Sequence, residues 1–190
     1  MILVEGKVTE NAYFQAIRVQ LDLSKENLKV LTPPPNTPVE MIQKAIQTRN
    51  SQKKFEPYDQ VWCVFDVEAK LTQPARHGLM DAIRLAKSKK IHIALSNPCF
   101  ELWLLLHHED CTAWTASDAV QRKCSQLNLV EDKHIQDVRG ILSRHKQAKA
   151  RAEALVQMHD QNGTNTLADR NPETTVHRLV DALFDAFPLS

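Results

Sequence analysis

The apolar run Val61-Trp62-Cys63-Val64-Phe65 limits the fold more than any other feature of the chain. Five consecutive apolar residues, β-branched and aromatic, leave no side for water, as in a strand covered on both faces. Three further short runs share the first hundred residues: Met1–Val4, the alternating Leu28–Thr32, and Ile91–Leu95. Segments with helical spacing separate them. Thr9 caps one, with Tyr13, Phe14, Ile17 and Leu21 on one face. Thr37-Pro38-Val39-Glu40 is a capping box with proline in the first turn, and it opens a helix that turns Val39, Ile42 and Ile46 inward. Pro74 starts a third helix (Leu79, Ile83, Ala86), and Phe100–His108 supplies a fourth. Helices of this length between strands imply parallel crossovers. The expected fold class is therefore α/β, a four-stranded parallel sheet flanked by helices.

The second half shows helical patterns at 115–127, 133–145, 146–160 and 173–187 and no strand pattern. In the last of these Asn171 is the expected cap, Pro172 sits in the first turn, and Val176, Leu179, Val180, Leu183 and Phe184 form an apolar stripe. The expected organisation is an α/β core at 1–110 and a helical extension at 111–190 packed on it. A chain of 190 residues buries enough apolar surface to fold without staples. Its four cysteines include no Cys-x-x-Cys pair, and His107-His108-x-x-Cys111 lacks a second ligand pair at matching spacing. Cys63 and Cys99 read as core residues, and His107 and His108 as surface histidines. The apolar start stops at Glu5, and no run is long enough for a bilayer, so a cytoplasmic protein without membrane contact is expected.

Function in an open parallel sheet gathers beyond the carboxyl ends of its strands. Three carboxylates stand there: Glu5 after the first apolar run, and Asp66 and Glu68 after the third. Residues two apart in extended chain point the same way, so Asp66 and Glu68 can face one cation, and Glu5 joins them if the first and third strands are neighbours. Clustered carboxylates repel one another unless a hard cation such as Mg²⁺ lies between them. Gly6, one of four glycines, suits a tight strand-to-helix turn. Asn97 and Glu101 fall at the same edge, after the fourth strand.

The net charge is +1, from 24 basic and 23 acidic residues, so any nucleic-acid footprint must be local. Arg139, Arg144, Lys146, Lys149 and Arg151 lie in one stretch without an acid, and helical spacing there can follow a phosphate backbone. No Gly-rich phosphate loop ending in Lys-Ser/Thr is present, which argues against an ATPase. Only Tyr13 and Tyr58 are available as phenolic nucleophiles, which disfavours strand passage.

Val4-Glu5-Gly6-x-x-Thr9-Glu10-x-x-Tyr13-Phe14, Phe65-Asp66-x-Glu68, Ser96-Asn97-Pro98-x-Phe100-Glu101-Leu102-Trp103 and Asn171-Pro172-x-Thr174-Thr175-Val176-His177 resemble the RloB family of the Toprim superfamily. The resemblance implies a Toprim-like fold in which Glu5 is general acid/base and Asp66 and Glu68 hold Mg²⁺ (or Mn²⁺); Gly6, Glu10, Asn97 and Glu101 are candidate supporting residues at the same edge. It also implies a nuclease of bacterial antiphage defence or abortive infection, acting on DNA or RNA (tRNA included) and controlled by an ATPase encoded alongside. Glu68 departs from the superfamily's Asp-x-Asp pair by one methylene, which favours a rival reading: a catalytically silent adaptor or sensor for the ATPase. A primase-like nucleotidyl transferase is a third reading, and homo-oligomerisation stays open.

Overall fold

The computed structural model describes residues 1–34, 37–52, 57–67 and 72–188. In chain order the elements are β1 (Ile2–Val4), α1 (Thr9–Gln20), β2 (Val30–Leu31), α2 (Pro38–Gln52), β3 (Trp62–Asp66), α3 (Gln73–Lys89), β4 (His92–Asn97) and α4 (Glu101–Leu106). There follow α5 (Ser117–Gln126), β5 (Val130–Glu131), β6 (His134–Ile135), α6 (Val138–Ser143), α7 (His145–Gln161), β7 (Glu173–Thr174) and α8 (Val176–Ala186).

The main sheet has the order β2-β1-β3-β4-β7. Its first four strands are parallel, as the crossover helices require. Side chains alternate between its faces. Ile2, Val4, Trp62, Val64 and Ala94 join the core beneath α1, α4, α7 and α8. Leu3, Cys63 and Phe65 join a second core with Met41, Ile42, Leu79, Ala82 and Ala86 of α2 and α3. Both faces are thus covered, which is why the β3 run has no polar side. The capping box of α2 forms as expected: Thr37 N donates to Glu40 Oε2 at 2.8 Å and Glu40 N to Thr37 Oγ1 at 3.3 Å. Thr72 caps α3 by accepting from Ala75 N.

Four expectations are corrected. The sheet has a fifth strand, β7, which pairs antiparallel with β4 through Ser96–Thr174 and Asn97–Glu173. This strand is two polar residues long and carries no period to read. It is fastened by Thr175, whose N–H donates to Leu95 O at 2.8 Å and whose hydroxyl accepts from Leu95 N at 2.9 Å. Asn171 and Pro172 therefore precede a strand, and α8 starts only at Val176 with no side-chain cap. The 133–145 helical pattern is instead a hairpin, β5–β6, followed by the short α6, which Asp137 caps by accepting from Gly140 N at 2.9 Å. Thr9 is the first residue of α1 and does not cap it.

A further correction concerns His107, which is 1 % exposed. The helix before it, α4, is buried along its whole length. Within 3.5 Å of the ring, Trp103 O lies 2.8 Å from His107 Nδ1. Burial pushes the imidazole pKa down to about 3, helped by His145 and His108 and opposed by the Trp103 carbonyl, so this ring is neutral at physiological pH. No helix among the described residues is long and apolar enough to cross a membrane.

Candidate active site

The register of the central strands decides which acids meet. Val4 of β1 lies opposite Val64 of β3, so β3 runs two residues further before it ends at Asp66. Glu5 N donates to Val64 O at 3.1 Å, and Asp66 N donates to Glu5 Oε2 at 3.4 Å. Two residues 61 positions apart are thereby brought into direct contact. Glu68 lies outside the described residues.

Two more carboxylates approach from the helices. Glu10, in the first turn of α1, is 7 % exposed, and its Oε1 accepts from Gly6 N at 3.0 Å. Gly6 has a specific reason to lack a side chain: a Cβ there would stand 1.7 Å from Glu10 Oε2. Glu101 opens α4, is also 7 % exposed, and faces the Thr9 hydroxyl at 3.4 Å. The same hydroxyl lies 3.0 Å from Lys133 O in the β5–β6 turn.

The electrostatics of this corner are strained. Burial first, then Glu10, Glu101 and Glu5, hold the Asp66 carboxyl well above the usual carboxylate range, against a hydrogen bond from the Phe100 backbone. Asp66 Oδ1 is buried and has no hydrogen-bond partner among the described residues. Burial likewise raises Glu10, with Glu101 and Glu5 adding and the Glu10 and Gly6 backbone N–H groups opposing. The Cys99 thiol beside them is pushed up by burial and by Glu101 and Asp66. Mutual repulsion of these acids thus adds to the burial that lifts Asp66 and Glu10. Such a corner needs a proton or a cation. Among the described residues no ion pair reaches Glu10, Asp66 or Glu101.

The donor set suits a hard divalent cation: it is anionic, it offers oxygens, and it includes one buried carboxylate oxygen with no partner among the described residues. Among the described residues alone, no three His, Cys, Asp or Glu side chains stand close enough together to hold a metal ion. Asn97, at the end of β4, is held by its neighbours instead. Its Nδ2 donates to Ala168 O at 3.3 Å and its Oδ1 accepts from Asn171 Nδ2 at 3.1 Å.

The basic stretch does not form one stripe. Helical residues advance by about 100° each, and the buried face of α7 is His145, Ala148, Ala152, Leu155 and His159. Lys149 and Arg151 therefore flank that face on opposite sides. Lys149 pairs with Asp181 at 2.8 Å. Arg151 pairs with Asp110 and donates to Leu106 O at 2.7 Å. Arg144 contacts His108, whereas Arg139 and Lys146 are exposed. Sequence reading did not single out Thr9 as a bridge, Lys133 in the turn, or Asn171 as the partner of Asn97. The Asp132-Lys133 turn lacks the Asn-Gly signal that announces such hairpins.

An α/β sheet with acids collected past the carboxyl ends of its two central strands defines the class: an α/β protein with a strand-end carboxylate site. The family model of RloB-like proteins matches residues 1–183, and the chain belongs to that family. No curated protein and no solved structure matches it.

Proposed function

We propose that this RloB-like protein is a Mg²⁺-dependent nuclease that cleaves phosphodiester bonds of DNA or RNA at the Glu5–Asp66 corner. The supporting observation is the contact of Glu5 with Asp66 among two further buried acids, with Asp66 Oδ1 unpartnered among the described residues. Glu5, Asp66 and Glu68 are the residues that would hold the cation. Mg²⁺ bound there supplies charge neutralisation on the phosphate and a more acidic water. Glu5 is exposed at the strand end and accessible to substrate, which suits proton exchange with the attacking water or the leaving oxygen. Glu10 keeps its proton to higher pH than an ordinary glutamate, and its bond to Gly6 N fixes it behind Glu5. Glu101 and Thr9 position the start of α4 against α1. An ATPase encoded alongside controls the activity in this reading, and antiphage defence is its setting.

The test incubates purified protein with plasmid DNA and with total tRNA, in Mg²⁺ or Mn²⁺, with and without the neighbouring ATPase, and follows the melting temperature during metal titration. Cleavage that is lost in Glu5→Gln and Asp66→Asn, and a metal-dependent rise in melting temperature that Asp66→Asn removes, support the reading. Cleavage that survives both substitutions refutes it. A protein that neither cuts nor responds to metal is the silent adaptor.

A further inference from the structure

The turn of the β5–β6 hairpin is built from a residue that fits it poorly. Asp132 and Lys133 are its two central residues, and both have left-handed backbone, at φ 48° and 67°. Two-residue turns of this hand favour glycine in the second place, because a Cβ there crowds the neighbouring carbonyl. Lysine occupies that place. Its side chain returns nothing to the fold: Lys133 is exposed, and its ammonium makes no ion pair or hydrogen bond among the described residues. Persistent backbone strain at a residue without packing value is characteristic of functional positions.

The place of the turn says what that function would be. The buried Thr9 hydroxyl lies 3.0 Å from Lys133 O and 3.4 Å from Glu101 Oε1. The main chain of Lys133 is thus separated from the acidic corner by one hydroxyl group, on the side where α1 begins. A fixed backbone with an uncommitted ammonium on a flexible four-carbon stem is suited to a phosphate oxygen, which lysine binds as a point charge.

We propose that Lys133 is a phosphate-binding residue of this site, holding a nucleic-acid phosphate against the acidic corner. The proposal rests on the nuclease reading and adds to it the cation that an anionic substrate needs beside four carboxylates.

The experiment compares the wild-type protein with Lys133→Gly, Lys133→Met and Lys133→Arg. Binding of a fluorescein-labelled single-stranded DNA oligonucleotide and of labelled tRNA is measured in Ca²⁺ over a series of salt concentrations. Melting temperature and Mn²⁺-dependent cleavage are measured in parallel. Lys133→Gly and Lys133→Met weaken binding, and the slope of log affinity against log salt becomes shallower by about one. Lys133→Arg keeps the slope. Lys133→Gly also melts at a higher temperature than wild type, since it relieves the turn, so stability and binding move in opposite directions. Unchanged affinity and slope in Lys133→Gly and Lys133→Met overturn the proposal, while wild-type cleavage leaves the nuclease reading standing. A wild-type protein that neither binds nor cuts retires both.

Discussion

Gly6→Ala tests the geometry of the acidic corner without touching a carboxylate. An alanine Cβ at this position would stand 1.7 Å from Glu10 Oε2, 2.1 Å from Cδ and 2.3 Å from Oε1, so the Glu10 carboxyl group has to leave. Leaving breaks the 3.0 Å hydrogen bond from Gly6 N. A hydrogen bond to a charged group contributes about 1.5–3 kcal/mol. Alanine returns about 0.4–1 kcal/mol by reducing the freedom of the unfolded chain. The expected net loss is about 1–2 kcal/mol, which for a chain of this length lowers the melting temperature by roughly 2–8 °C. The decisive measurement is a double-mutant cycle in urea. In a Glu10→Ala background the clash is gone, so Gly6→Ala becomes neutral or stabilising, and the coupling energy is about 2 kcal/mol. Equal effects of Gly6→Ala in both backgrounds would falsify the account of why this glycine precedes the helix.

Two further predictions concern the same edge. Because the folded-state pKa of Asp66 is raised, the native protein binds more protons than the unfolded chain between the ordinary carboxylate range and that raised value. Stability in EDTA therefore falls as pH rises through this window. Asp66→Asn flattens the dependence, and urea denaturation across the window checks it; an identical slope in the variant contradicts the assignment. Asn171→Ala removes three contacts at once, to Thr115 N (3.0 Å), Thr115 O (2.9 Å) and Asn97 Oδ1 (3.1 Å). It is expected to cost about 2–4 kcal/mol and to speed amide exchange in the α4–α5 connection, whereas unchanged exchange there would remove Asn171 as the tie between β4 and that connection.

The features legible in the sequence were those whose causes are local. The five-residue apolar run became β3 because unbroken hydrophobicity has no other use at that length. Thr37 and Glu40 satisfied each other's backbone groups as their spacing requires. Glu5 and Asp66 were recognisable as strand-end acids, and one condition, neighbouring strands, was enough to join them. The features that were not legible depend on contacts between distant residues. Glu173–Thr174 is a strand only because β4 offers an unpaired edge, and a polar dipeptide has no periodicity to reveal this. His107 looks like a surface residue until α4 is enclosed by its neighbours. The basic residues of 139–151 share a stretch of chain and not a face, since α7 turns Lys149 and Arg151 to opposite sides of its buried stripe.

Taken alone, the amino-acid order determined the elements of the first half, their parallel arrangement and the acids at their ends, because periodicity, capping and strand-end position are properties of neighbouring residues. Tertiary structure alone decided that Glu10 lies over Gly6, that Glu101 shares a hydroxyl with the Lys133 turn, and that Asp66 Oδ1 is buried with no partner among the described residues. These depend on sheet register and helix packing, which sum many weak contacts across the whole chain and leave no trace in any one segment.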